Sequence, residues 1–341
     1  MQIIDVKDLA YAYPPLAISA DFKTQPEDFI VREQLGFSPS GEGEHVFIYL
    51  HKRQITTELV SKDIARQLGL PVRDICYSGL KDKQAVTEQW FSFPWPIKKP
   101  LPELQGESWQ IVETSRHLKK LRRGVHQSNH FTITLSNLRG DISQLETRLE
   151  TLKQQGFANY FGQQRFGVEG NNVAKALELF AGTFRCKPFL RSIYYSAARS
   201  YLFNHYLSLR VAQGSWQQAI EGDKFNLDGS NAIFGPEALS DELQERVASF
   251  DIHPAGPLIG KQASGLDGHA AMLWQQVAEQ GQPVIDGLVK AGLDTGYRPL
   301  RACAKSLNWQ LDQQQCVLQF ELRSGAFATA LIRELVTINN E

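Results

Sequence analysis

Apolar positions along the chain recur with two periods, and the switches between them mark out the elements. His45-Val46-Phe47-Ile48-Tyr49-Leu50 is a continuous apolar run bounded by polar sequence, the pattern of an interior strand. Phe29-Ile30-Val31, Ile75-Cys76-Tyr77, Trp90-Phe91-Ser92-Phe93 and Trp109 to Val112 read as further strands, and Asn129 to Leu135 alternates as a half-buried strand does. Asn308–Leu311 and Cys316–Leu322, separated by Asp312-Gln313-Gln314-Gln315, predict a hairpin. The period lengthens to that of a helix after Thr56, a ready N-cap, with Val60, Ile64 and Leu68 on one face and Gly69 to close it. Asp141 and Gln144 predict a capping box ahead of Ile142, Leu145, Leu149 and Leu152. Helical spacing returns over Arg191 to Arg210, and again from near Phe327, where Ala328, Leu331, Leu335 and Ile338 form a stripe. Prolines 94, 96, 100 and 102 stiffen one loop, and turn residues crowd the stretch from Gln213 to Asp267, which reads as an inserted domain of short elements. The mixture of strands and helices predicts an α+β protein.

Length and composition narrow the class. The chain has 341 residues, enough for two domains, with 42% hydrophobic and 21% charged residues. Its net charge of −1 gives no global attraction to nucleic acid, so an anionic partner needs a local basic patch. One exists: Arg116-His117-Leu118-Lys119-Lys120-Leu121-Arg122-Arg123 carries five lysines and arginines in eight residues, either a phosphate-binding stripe or a solvated helix face. The four cysteines lie far apart with no Cys-x-x-Cys, and His126 and His130 sit in a strand pattern with no acidic third ligand, so neither a zinc site nor a disulfide framework is expected. The first residues do not read as a signal peptide, and no apolar run reaches membrane-spanning length. These features predict a soluble, cytoplasmic protein with no metal.

The richest candidate chemistry lies in Tyr77-Ser78-Gly79-Leu80-Lys81-Asp82-Lys83-Gln84-Ala85-Val86-Thr87-Glu88-Gln89, where Asp82 occupies a turn between two strands. The flanking lysines favour its ionised form, suiting a nucleophile or a base. By charge alone a solvated turn is the better reading of Lys81-Asp82-Lys83. Asn159-Tyr160-Phe161-Gly162-Gln163-Gln164-Arg165-Phe166-Gly167 combines aromatics, amides and an arginine, a mixture suited to stacking on bases and equally to a core loop.

The wording of these stretches resembles the tRNA pseudouridine synthase D family. Gly79-x-Lys81-Asp82-Lys83-x-Ala85-Val86-Thr87-x-Gln89 is similar to its central motif, and Lys23-x-x-Pro26-Glu27-Asp28-Phe29-x-Val31-x-Glu33 to its opening one. Asn129 and Phe131 fit a Gly-Asn-x-Phe motif in which Ser128 replaces the glycine. The loop over 159–167 and Ser196-Ala197-Ala198-Arg199-Ser200 also match. The resemblance implies a pseudouridine synthase fold, a central mixed β-sheet flanked by helices, with an inserted α/β domain. It implies a discontinuous catalytic domain over 1–155 and 304–341, interrupted by 156–303. It implies Asp82 as nucleophile with Lys23 beside it, and Phe29, Asn129, Phe131 and Phe327 around a flipped base. Lys119, Lys120, Arg122, Arg123 and Arg165 become candidate RNA contacts. The partner would be tRNA, the target uridine 13, the protein a monomer, and no cofactor would be needed for an isomerisation. A non-catalytic RNA-binding protein on the same fold, and a hydrolase using Asp82, are the rival readings.

Overall fold

A computed structural model describes residues 8–167 and 170–339. In chain order the elements are β1 (Ser19–Phe22), β2 (Phe29–Leu35), β3 (His45–Arg53), α1 (Thr57–Leu68), β4 (Cys76–Tyr77), β5 (Val86–Pro94), β6 (Trp109–His117), β7 (His126–Arg139) and α2 (Ser143–Gln155). There follow β8 (Phe157–Ala158), α3 (Asn171–Phe180), α4 (Pro188–Ala212), β9 (Lys224–Leu227), β10 (Ile233–Phe234), α5 (Asp241–Ala248), β11 (Ile252–Leu258), α6 (Gly268–Lys290), β12 (Gly296–Pro299) and β13 (Arg301–Ala302). The chain finishes through β14 (Lys305–Leu311), β15 (Gln315–Arg323), α7 (Ala328–Arg333) and β16 (Thr337–Ile338).

Contacts divide the chain into two compact units, each discontinuous. The sheet unit comprises Ala17–Lys153, Ala304–Gly325 and the residues from Val336 on; the helix-rich unit comprises the stretch up to Leu16, Gln154–Cys303 and Ala326–Leu335. The resemblance implies a C-terminal block, 304–341, within one domain. The contacts instead group Ala326–Leu335 with the helix-rich unit, where Phe327 meets Phe161 and Arg333 lies over Tyr160.

The sheet unit is built on one mixed sheet in the order β14-β15-β7-β2-β5-β3-β6, with β1 also beside β7, β16 beside β1 and β4 beside β5. Among the described residues only β2–β5 and β1–β16 run parallel. β3 lies inside the sheet, between β5 and β6, and its even-numbered residues from Val46 to Lys52 are all buried on one face. Val46, Ile48 and Leu50 join Val60, Ile64 and Leu68 of α1 in one core, and Phe47 faces Trp90 and Leu121 on the other side. α1 has the ends its sequence predicts: Thr56 Oγ1 accepts from the Leu59 amide at 3.3 Å, and Gly69 closes the helix with φ 68°.

Three local expectations shift. The Asp141 cap holds, but Gln144 turns its side-chain amide to the Asp141 carboxylate, and α2 starts only at Ser143. The C-terminal stripe breaks: α7 ends at Arg333, and Ile338 pairs as a strand with Ala20. Arg116 and His117 complete β6, and residues 119–123 form a loop, so the basic segment is not a helix face.

In the helix-rich unit, α4 packs against α3, α6 and β11, and a four-stranded antiparallel sheet runs in the order β10-β9-β11-β12. Glycine permits the helices to close on one another. A Cβ at Gly281 would stand 2.4 Å from Leu202, and one at Gly287 only 2.1 Å from the Phe180 ring. Arg210 of α4 is fully buried and fully met, by both carboxylate oxygens of Asp223, the Tyr206 hydroxyl and the carbonyls of Ser215 and Gln218.

Candidate active site

β1 ends at Phe22, and Lys23 then takes a left-handed conformation with φ 58°. Holding a non-glycine residue there costs about 1–3 kcal/mol, met here by the turn that follows. The Asp28 carboxylate accepts from the Thr24 hydroxyl at 2.5 Å and the Gln25 amide at 3.0 Å, and the chain enters β2 at Phe29. The Lys23 ammonium thereby sits 4.4 Å from the centre of the Phe29 ring and 5.2 Å from that of Phe22.

Asp82 lies on the turn between β4 and β5. Its two carboxylate oxygens are held separately: Lys23 Nζ donates to Oδ2 at 2.5 Å, and the Gln84 amide to Oδ1 at 3.0 Å. Both partners of the ion pair keep 14–17% of their side-chain surface open to solvent. The carboxylate is thus oriented, charge-balanced and reachable.

The neighbouring lysine does something else. Lys81 Nζ bonds Glu33 Oε2 at 2.5 Å in a buried pair, and Glu33 Oε1 accepts from the Trp90 amide at 3.2 Å. The Lys81 amide reaches Thr57 Oγ1 at 3.0 Å, so this residue pins the turn to α1 and β2. Lys83 is exposed. Of the two flanking lysines, Lys81 is thus engaged elsewhere, and the close cation of Asp82 is Lys23, on the turn after β1, as the resemblance implies.

A third lysine is missed by sequence reasoning. Lys52, at the end of β3, is fully buried, and its ammonium donates to the carbonyls of Ile55 at 2.8 Å and Asp82 at 3.1 Å. Burial pushes its pKa down to about 8, opposed by the Asp82 charge and assisted by that of Lys81. The signal was present in the alternation of β3, where Lys52 continues the inward series from Val46.

On β7, Asn129 and Phe131 point to the same face. Phe131 stacks on Phe29 with ring centres 6.1 Å apart and on Phe320 of β15 at 5.3 Å, a continuous aromatic row that starts at Phe22. The Asn129 Oδ1 is buried and has no hydrogen-bond partner among the described residues. Ser128, in place of glycine, is buried and turns its hydroxyl to Gln34 Oε1 at 3.3 Å. His126 bonds Ser78 Oγ at 2.5 Å, and among the described residues no group of His, Cys, Asp and Glu could hold a metal ion.

Lys23, Phe29, Asp82, Asn129 and Phe131 are therefore gathered in the sheet unit. Phe327 and Arg165 belong to the helix-rich unit, where the Phe327 and Phe161 ring centres are 5.7 Å apart and the Arg165 guanidinium lies 5.2 Å from the Phe161 ring and 5.7 Å from that of Phe327. Lys120, Arg122 and Arg123 line a cleft of about 500 Å³ in the sheet unit, joined by Lys62 of α1 and by Arg73, with Glu58 as the single acidic residue. Arg123 stacks on Tyr77 at 4.4 Å and donates to its hydroxyl at 3.0 Å. Lys119 is exposed beside the cleft. No helix among the described residues is long and apolar enough to cross a membrane.

Comparison with known proteins places the chain in a family. The tRNA pseudouridine synthase D (TruD) family profile matches residues 8–185 and 169–335. The chain is 42% identical to a tRNA pseudouridine synthase D of Legionella pneumophila (strain Lens), over 93% of this chain and 95% of that protein. It is 40% identical to those of Methylococcus capsulatus, over 96% and 94%, and Aeromonas hydrophila, over 97% and 94%. A crystal structure of a candidate tRNA pseudouridine synthase D from Methanosarcina mazei shares the fold at a TM-score of 0.70 and 20% identity, covering 97% of this chain and 96% of that one.

Proposed function

The chain belongs to the tRNA pseudouridine synthase D family, and on that premise we propose that it converts uridine 13 of tRNA to pseudouridine with Asp82 as the nucleophile. The enzyme class is that of an isomerase. The N1–C1′ glycosidic bond breaks, uracil turns over, and C5 bonds to C1′. The proton lost from C5 balances the one gained at N1, so no electron is transferred. A base inside stacked RNA is out of reach of Asp82, so the target is extruded first.

The observation that carries this reading is the carboxylate of Asp82, fixed by Lys23 at 2.5 Å and still open to solvent. Binding RNA gives no reason to hold a carboxylate where phosphates approach; covalent catalysis does. The unsatisfied Oδ1 of Asn129 supports it, because the N3–H of uracil is a donor of the kind it lacks. The rings of Phe29 and Phe131 offer the base an apolar wall, and the family resemblance gives Phe327 a substrate-binding role as well. We assign catalysis to the sheet unit, where Lys119, Lys120, Arg122 and Arg123 receive phosphates, and a further part of the RNA grip to the other. The protein acts as a cytoplasmic monomer in this reading.

Asp82→Asn tests it. The amide keeps the size of the side chain and removes the nucleophile, so pseudouridine formation on unmodified tRNA, mapped by carbodiimide-dependent reverse-transcription stops, should fall by several orders of magnitude. The tRNA dissociation constant should hold or improve slightly, since an anion has been removed. Activity within tenfold of the parent would exclude Asp82 as nucleophile, and a product only at another position would exclude uridine 13.

A further inference from the structure

Arg210 and Arg165 of the helix-rich unit are held in very different ways. Arg210 is surrounded by acceptors and a bidentate carboxylate. Arg165 is not. It lies mostly buried at the end of a 3-10 turn, Gln163–Arg165, and Nη1 donates to Ser196 Oγ of α4 at 2.9 Å. Its Nε is buried with no acceptor among the described residues, and no carboxylate among them pairs with it.

A second guanidinium shares its surroundings. Arg298 of β12 is 8% exposed and lies 4.0 Å over the Phe161 ring and 5.8 Å from that of Phe327. Nε and Nη2 of Arg298 donate to the carbonyl and side-chain oxygens of Asn159 at 3.0 and 2.5 Å. Two cations thus flank one pair of aromatic rings. Burial, and after it the charge of Arg165, push the Arg298 pKa down to about 9; burial also lowers that of Arg165.

Like charges brought together out of water are costly, and a buried guanidinium with an orphan N–H more so. A site of this kind is completed by an anion whose oxygens match the fork of Arg. We propose that Arg165, backed by Arg298, binds one phosphodiester of the RNA beside Phe161 and Phe327. The proposal rests on the function given above and deepens it, because it assigns the helix-rich unit a defined contact rather than a general one. The rings serve two purposes: their faces stabilise the guanidinium planes, and they exclude water that would compete for the phosphate.

Two variants test this. Arg165→Met keeps the bulk and removes the charge; Arg165→Lys keeps the charge and removes the fork. tRNA binding is titrated over a salt series, with thermal unfolding measured on the same preparations. Arg165→Met should weaken binding roughly 5- to 30-fold and reduce the salt slope by about 0.7–0.9, one contact's worth. Its unfolding midpoint should stay or rise, as when an uncompensated buried cation is replaced by an apolar side chain. Arg165→Lys should restore the slope while recovering only part of the affinity. An unchanged slope and affinity in Arg165→Met would overturn the proposal, as would a lower midpoint with an unchanged slope, which marks a purely structural residue. The readout is separate from catalysis: a parent that makes pseudouridine, with an Arg165→Met of unchanged slope, removes the site and leaves the reaction intact. A slope drop with no pseudouridine at any uridine does the reverse.

Discussion

Lys52→Met isolates a cation that touches the backbone of Asp82 and not its carboxylate. The substitution removes donors to the Ile55 and Asp82 carbonyls, at 2.8 and 3.1 Å. Each carbonyl left unsatisfied costs about 1–3 kcal/mol. Against this, the folded protein no longer buries an ammonium whose pKa falls from 10.5 to about 8, a penalty of about 3 kcal/mol. The terms nearly offset at pH 7, so the variant should fold with a stability within about 2 kcal/mol of the parent. The pH dependence is more telling. A depressed folded pKa means the unfolded chain binds more protons between pH 8 and 10.5, so parent stability rises with pH across that window and the variant lacks this term. Urea unfolding of the sheet unit at pH 7 to 10.5 should show the parent gaining up to about 3 kcal/mol on the variant. Turnover should suffer as well: a shift of the turn by about 1 Å costs on the order of 10²-fold. Single-turnover pseudouridine formation at pH 7 measures that, with tRNA affinity expected to be unchanged. A stability difference that is flat with pH, or turnover within threefold of the parent, would refute the idea that a charged Lys52 holds the Asp82 turn.

Replacing Lys119, Lys120, Arg122 and Arg123 together with Ala should weaken tRNA binding and lower its salt slope by roughly 3 if all four meet phosphates; a constant slope would mark a merely solvated loop. Asp223→Asn should strip Arg210 of its counter-charge and destabilise the helix-rich unit by about 3–5 kcal/mol, measured by urea unfolding. A loss under 1 kcal/mol would show that the hydroxyl and carbonyl acceptors suffice. Glu33→Gln should act likewise on buried Lys81 in the sheet unit and reduce turnover through the turn that Lys81 anchors; full activity would show the pair to be dispensable.

Much of the fold was legible because local signals and burial agreed. The β3 run, the α1 caps and the β14–β15 hairpin needed no information from elsewhere in the chain. The C-terminus failed where they diverged: Leu335 and Ile338 continue a helical spacing, but the β-branched stretch Val336-Thr337-Ile338 has a strand partner in β1, and pairing overrode the period. In the candidate site the Lys23–Asp82 pair follows the resemblance, whereas the partners of Lys81 and Lys52 have no sign in the sequence around them. Asp82 and Lys81 are adjacent in sequence yet serve different partners, Lys23 and Glu33, lying 59 and 48 residues away from them. Arg298-Pro299-Leu300-Arg301 reads in the sequence either as a phosphate contact or as a surface turn, and only β12 places Arg298 over Phe161.

The pairing of β15 with β7 has a consequence in time. Nine residues of β7, Ser128 to Ser136, pair with β15, and Asn129 and Phe131 are among them. The chain between the two strands contains nearly the whole helix-rich unit. At about 5–20 residues per second, a ribosome takes on the order of ten seconds or more to cross that interval. Throughout it, β7 presents an open hydrogen-bonding edge, the kind of surface that recruits stray strands. A nascent protein stalled before β15 would hold Lys23, Asp82 and β2 in a sheet that lacks β15 and β16 and leaves β14 unpaired. Synthesis of an active enzyme is therefore gated by its last elements, and chaperone demand should be highest just before they emerge.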